Sequence, residues 1–242
     1  MIFLETFYIN IIKKHSYRIC YSLIYFIFIF SQICSAQDII ATKKHLNPKS
    51  VIKPEGFPSI GKWMLNEKLK PANWLKHKYK GKLLQEPINI IIIDSLAYSA
   101  EDAIARLIKS CYDAGFLIRS GHSAEYRGYI AGNFYKQLPT GIGHAFSDAA
   151  FDTNNNHGRI FGPYFSKNKY YFIGAFSREE FIGDSHKYNS FIKARNNFAQ
   201  KMAENTNFKI EGKIDIGNMI VNNPKLTSGD HDGYAIILQS KD

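Results

Sequence analysis

Cysteine is nearly missing from this chain, with three residues in 242. Cys20 and Cys34 fall within the first 36 residues, which leaves Cys111 as the only thiol beyond them. One thiol cannot close an internal disulfide, so neither a stapled scaffold nor a cysteine-based zinc site fits. An apolar run of spanning length is also missing: the uncharged stretch Ile19–Ile33 has 15 residues, and a transmembrane helix needs about 20. No nucleophile elbow, Walker loop, H-E-x-x-H helix or dinucleotide fingerprint occurs, which removes the enzyme classes recognised by those motifs. Acidic residues are few, 21 Asp and Glu against 31 Lys and Arg, for a net charge of +10. Hydrophobic residues are not scarce; at 45% they are too abundant for a disordered chain.

What is present begins with a leader. Lys13, Lys14 and Arg18 precede the Ile19–Ile33 run, and Cys34 and Ala36 then stand at −3 and −1 of a cut before Gln37. Cationic, apolar and small, in that order, is the pattern of a signal peptide over residues 1–36, so the body of the chain is expected to be exported, periplasmic or secreted. Uncleaved, residues 19–33 would serve as an anchor. Acylation of Cys34 fits less well, because Ile33 sits where a small residue is wanted. Removing the leader leaves 206 residues, enough for one domain with a sizeable core.

The basic balance favours anionic partners. Export sets nucleic acid aside and leaves a lipid headgroup, with peripheral membrane contact, or an envelope polymer. Lysines are densest between Lys62 and Lys82, around Trp63 and Trp74. Such a segment suits a headgroup boundary, and it equally suits an extension that lays two tryptophans over its own domain.

Residues 37–85, with Pro48, Pro54, Pro58 and Pro71 spaced through them, read as an irregular N-terminal extension. Residues 86–242 read as the compact domain. Ile88–Ile93, apolar at every position but Asn89, is the run expected of a strand covered on both faces. Ser99 caps a helix whose Ile104, Leu107, Ile108 and Cys111 share one face, and Gly115 ends it. Phe116–Ile118 resumes as a strand, placed for parallel pairing with the first. His157–Phe161 and Lys169–Ser177 read as strands joined across Gly162-Pro163, followed by a helix from about His186 to Asn205. Alternating Phe208–Ile216 and the run Tyr234–Leu238 complete the pattern. The fold class expected is α/β, a single sandwich-like domain in which helices pack on a mixed sheet.

Arg195 carries the most informative local signal. It lies four after Phe191, three before Phe198 and seven before Met202, so a helix places it inside the apolar stripe. A buried guanidinium must be satisfied. Three arrangements do so: an ion pair with Asp148, Asp152 or Asp184, a side chain reaching to the rim, or a pocket that receives an anion. His157 and Arg159 are two apart, so on a strand they share a face with Phe161, and together they suit phosphate or carboxylate better than a metal. Asp152-Thr153-Asn154-Asn155-Asn156 opens like a calcium loop but lacks its glycine and its twelfth-position glutamate, which leaves an Asx-rich turn. Gly229-Asp230-His231-Asp232-Gly233 reads as a polar hairpin loop or, with His144, His122 or His186 recruited by folding, a metal site. Ser177-Arg178-Glu179-Glu180 follows a strand end, where α/β folds place sites.

The order of these segments resembles the LssY C-terminal domain family. The resemblance covers about residues 86–240. It rests on the Pro87–Ile93 strand and its helix, Ser147-Asp148-Ala149-Ala150-Phe151, Asn156-His157-Gly158-Arg159, Gly174-Ala175-Phe176-Ser177-Arg178 and Ala194-Arg195-Asn196. Domains of this kind are attached to membrane enzymes of the phosphatidic-acid-phosphatase type or exported alone. The resemblance implies that Asp148, His157, Arg159, Arg178 and Arg195 carry the family pattern. The leading expectation is a cell-envelope module that binds an anionic, phosphate-containing or lipid-headgroup ligand through His157, Arg159, Arg178 and Arg195, with no metal and no cofactor. The rival is a hydrolase of phosphate-containing envelope material, with His157 as acid or base and Asp148 orienting it. A third reading is structural: Arg195 pairs with Asp148 and the domain binds another protein.

Overall fold

The structure, a computed structural model, describes residues 46–123 and 125–241. The leader lies outside them. Strands β1 (Val51–Ile52), β2 (Ile60–Gly61), β3 (Asn73–Tyr79), β4 (Lys82–Gln85) and β5 (Ile90–Asp94) precede helix α1 (Ala100–Asp113). Then come β6 (Leu117–Arg119), β7 (Arg127–Ile130), β8 (Asn133–Leu138), β9 (Ala145–Ser147), β10 (Asn155–Ser166), β11 (Lys169–Ile182) and β12 (Ser185–Ser190). Helix α2 (Phe191–Asn205), β13 (Phe208–Asp215), β14 (Leu226–Thr227) and β15 (Tyr234–Ser240) end the chain. Among the described residues, no helix is long and apolar enough to cross a membrane.

Most strands form one mixed sheet, curled into a half-barrel, in the order β1-β2-β7-β8-β10-β11-β5-β15-β13. Strand β12 is added to β11, and β9 links β10 to β6. The run at β5 is central because both its faces are covered. Ile90 and Ile92 meet α1 and α2 on one face, while Ile91 and Ile93 pack with Phe161, Ile173 and Ala175 on the other. Period-2 alternation therefore splits a continuous apolar run between two cores. On the helix face, Ile104, Leu107, Ile108 and Cys111 are buried as their spacing predicted, and burial pushes the Cys111 thiol pKa well up.

Several boundaries differ from the sequence reading. Strand β6 does not pair with β5; it pairs with β9, and β5 lies parallel to β15 and antiparallel to β11. The hairpin turn sits at Lys167-Asn168, both at positive φ, while Gly162-Pro163 falls within β10 at a register shift. Proline has no N–H for the ladder, so a bulge accommodates it where regular pairing could not. Helix α2 begins at Phe191, because 185–190 pairs with β11 and Ser190 accepts from Lys193 N at 2.9 Å.

The segment read as an irregular extension is, where described, built into the fold. Strand β2 pairs with β7, and β3, β4 and β14 form a small separate sheet. Ile60, Met64 and Ala72 belong to the second core, and Trp74 is buried with Leu84 and Phe191. The tryptophans among the lysines thus cover their own domain: Trp74 is 2% exposed and Trp63 9%.

Candidate functional site

Strands β10 and β11 run antiparallel with Asn155 opposite Glu179, His157 opposite Ser177 and Arg159 opposite Ala175. Odd-numbered residues of this pair share the face carrying Phe161, Ile173 and Ala175, so Asn155, His157, Arg159, Ser177 and Glu179 line up there. Toward the 155 end of β10 that face is roofed by Trp74 and Leu75 of β3, by Glu86 after β4, by Gly121, His122 and Ser123 after β6, and by His186 of β12; together with His157, Arg159 and Glu179 these residues enclose a pocket of about 80 Å³. It is deep: His157, Arg159, Glu86 and Glu179 are each at most 5% exposed.

A chain of hydrogen bonds fixes its floor. Trp74 Nε1 donates to Ser177 Oγ, and that hydroxyl lies 3.3 Å from His157 Nε2. Asn155 Nδ2 donates to Glu179 Oε1 at 2.7 Å and to Thr153 O at 2.9 Å. Those acceptors orient the amide, so Asn155 Oδ1 faces His157 Nδ1 at 2.8 Å and that nitrogen carries the proton. His186 Nδ1 approaches Glu179 Oε1 at 3.2 Å. The His122 ring lies 4.6 Å, centroid to centroid, from that of His157.

Arg159 donates from Nη2 to Ser123 O at 2.7 Å and lies over the Tyr126 ring at 5.0 Å. Among the described residues, its buried Nε has no hydrogen-bond partner, and neither has His122 Nε2. Electrostatics follow from dryness. Burial, then the Arg159 charge, lowers the His122 pKa to about 3, and burial with the neighbouring His122 pushes His157 well down. Both rings are therefore neutral near pH 7. Glu86 is pushed up to about 7 by burial, with Arg159 opposing and Glu179 adding to the rise.

Of the residues expected at a site, the structure brings together only His157 and Arg159. Arg178 is on the opposite face, where its Nη1 meets Asn156 Oδ1 at 3.4 Å. Asp148 does not orient His157; its two oxygens accept from Asn156 N and Asn156 Nδ2 at 2.7 and 2.6 Å, and Asn155 takes the orienting role. Arg195 is fully buried, as its place in the stripe required, but lines no part of this pocket. Its partner is Asp232, with Nη1–Oδ1 at 2.6 Å and Nη2–Oδ2 at 3.0 Å, and not Asp148, Asp152 or Asp184. The Gly229–Gly233 loop is thus a clasp for helix α2: Asp230 accepts from Phe191 N at 2.8 Å and from the Ser190 hydroxyl, and His231 Nε2 lies 2.6 Å from Asn218 Oδ1. Nor is it a hairpin, since β14 pairs with β4.

Sequence reasoning passed over Glu86 and Asn155 as site residues, reached Glu179 only within a segment read as following a strand end that in fact lies inside β11, and associated His122 and His186 with the wrong loop. The odd-residue rule on β11 was the available signal for Glu179; nothing local marks Glu86 or His122. One ligand atom from each of His122, His157 and Glu179 lies within 4.8 Å of the other two, a grouping that an expectation of no metal did not foresee. No family model, no curated protein and no solved structure matches the chain, so its site is read from its own geometry.

Proposed function

We propose that this pocket receives a small anionic group, phosphate or carboxylate, on the Arg159 guanidinium. The observation that carries the reading is a buried arginine whose Nε has no hydrogen-bond partner among the described residues and which lines a cavity. An N–H so placed is expensive to leave unmet, and an oxyanion meets it with a charge-assisted bond. A pocket of about 80 Å³ takes a headgroup-sized moiety and not an acyl chain. In the fuller reading the protein is an exported α/β module of the cell envelope, akin to the LssY C-terminal domains, and its ligand is a phosphate-containing lipid headgroup or envelope polymer. A hydrolase is the second reading, favoured by Glu86, a carboxyl group with a pKa near 7 in the same pocket as His157.

The test titrates the full chain with inorganic phosphate by calorimetry and with phosphatidylglycerol or phosphatidylcholine vesicles by co-sedimentation. Arg159→Gln is expected to weaken phosphate binding at least about tenfold, the scale of one charge-assisted bond. Arg178→Ala, on the other face, should leave it unchanged. Equal binding by wild type and a folded Arg159→Gln variant, or no binding by the wild type, would overturn the reading. Binding of phosphatidylglycerol vesicles but not phosphatidylcholine would identify the lipid as the source of the group.

A further inference from the structure

We propose that His122, His157 and Glu179, with His186 beside Glu179, bind a divalent transition-metal ion of the zinc class within the pocket, between its floor and its roof. This goes beyond the anion reading, since the metal site is defined by different side chains and is measured without any anion.

The placement comes first. The ligands arrive from separate elements: His122 from the loop after β6, His157 from β10, Glu179 from β11 and His186 from β12. One donor atom each from His122, His157 and Glu179 lies within 4.8 Å of the others. Zinc bonds of about 2.1 Å put tetrahedral ligand atoms about 3.4 Å apart. Closing the set therefore needs side-chain shifts on the order of 1 Å. His122 stands on a loop outside the regular strands, which makes such a shift cheap.

Unmet bonding capacity points the same way. Among the described residues, His122 Nε2 and His186 Nδ1 are both buried without a hydrogen-bond partner, although the latter lies 3.2 Å from Glu179 Oε1. Buried polar atoms are seldom left so, and coordination would satisfy both. A single side chain braces two of the ligands: Asn155 accepts from His157 Nδ1 and donates to Glu179 Oε1. Metal-binding imidazoles and carboxylates are commonly held by such an outer ring of hydrogen bonds.

The donor set selects the ion. Neutral imidazoles with one carboxylate suit zinc, manganese, iron(II), cobalt, nickel or copper; calcium and magnesium want oxygen ligands. Glu86 and Glu179 share the pocket with Arg159, and a divalent cation offsets the two carboxylates. Room remains for water or an anion on the ion's open side.

The experiment uses the full chain without a histidine tag, stripped with a chelator and dialysed against Zn²⁺, with bound metal counted by elemental analysis. Co²⁺ substitution supplies visible absorption as a spectroscopic readout of imidazole ligation. One Zn²⁺ per chain is expected, with a raised thermal midpoint and no response to Ca²⁺ or Mg²⁺. His122→Ala and Glu179→Gln should each weaken Zn²⁺ binding at least about tenfold, while His144→Ala and Arg178→Ala leave it intact. A folded wild type that takes up no Zn²⁺, or uptake indifferent to both His122→Ala and Glu179→Gln, would overturn the proposal. Should Glu179→Gln unfold, His122→Ala decides alone. The two readings of the pocket separate cleanly: Arg159→Gln should lose phosphate and keep zinc, and His122→Ala should lose zinc while the stripped protein still binds phosphate.

Discussion

Arg195 and Asp232 meet fork to fork, Nη1 to Oδ1 at 2.6 Å and Nη2 to Oδ2 at 3.0 Å, and Nη1 also donates to Tyr234 O at 2.6 Å. The arginine is fully buried on α2 and the aspartate's side chain is about one-third exposed. The pair thus ties the second helix to the loop before β15.

The first prediction follows from that asymmetry. Asp232→Ala strands a buried guanidinium and should cost about 3–5 kcal/mol. Arg195→Met with Asp232→Leu removes both charges and should recover most of the loss, because an apolar pair of similar volume avoids desolvation. Urea unfolding of the single and double variants measures the difference. Additive losses would show that the two side chains act independently.

A second prediction concerns acid. His231 is buried, with its Nε2 at 2.6 Å from Asn218 Oδ1 and no hydrogen-bond partner for its Nδ1 among the described residues. Burial, with the Arg195 charge, outweighs Asp232 and Asp230 and lowers its pKa to about 4. The unfolded chain takes up this proton near pH 6.5, the folded one only near 4. Stability from this group is therefore whole above 6.5 and lost as pH falls toward 4, by about 3 kcal/mol at one proton's linkage. His122 and His157 act in the same direction, so the share of His231 is read as the difference between wild type and His231→Gln in denaturant melts at pH 7 and 4.5. A constant difference across that range would refute it.

Gly158 supplies the third. A Cβ there would lie 2.4 Å from Phe176 Cδ1 and 2.7 Å from Ala175 O, closer than any real contact. Gly158→Ala should destabilise the protein by about 3 kcal/mol or more, the upper range for overpacking a tight core. Because Gly158 lies between His157 and Arg159, the displaced strand should also weaken phosphate binding at the pocket, measured by calorimetry on the folded fraction.

The fourth concerns the start of α2. Ser190 accepts from Lys193 N and its hydroxyl donates to Asp230. Ser190→Ala loses both and should cost about 1–2 kcal/mol, while Ser190→Thr retains most of the stability. Thermal melts of the two variants check the ordering.

The elements were legible where their signal is local. The five-residue β5, the helix over 100–113, the final strand and the buried position of Arg195 all follow from periods of 2 and 3.6 within one segment. Boundaries failed where a partner overrode the pattern. Residues 186–190 look helical until β11 pairs with them. The alternation in 208–216 conceals a register shift between Ile210 and Gly212, which turns Phe208 to the helix-side core and Ile216 to the other.

By itself the sequence determined that the chain makes a mixed sheet with two helices, that Arg195 is inside, and that His157 and Arg159 point the same way, because each depends only on spacing along one strand or helix. Tertiary structure alone decided that Asp232 answers Arg195 and that Glu86, His122, Glu179 and His186 gather around His157. Those residues are drawn from separate strands and loops, and their meeting depends on strand order and pairing register. No local period encodes either quantity.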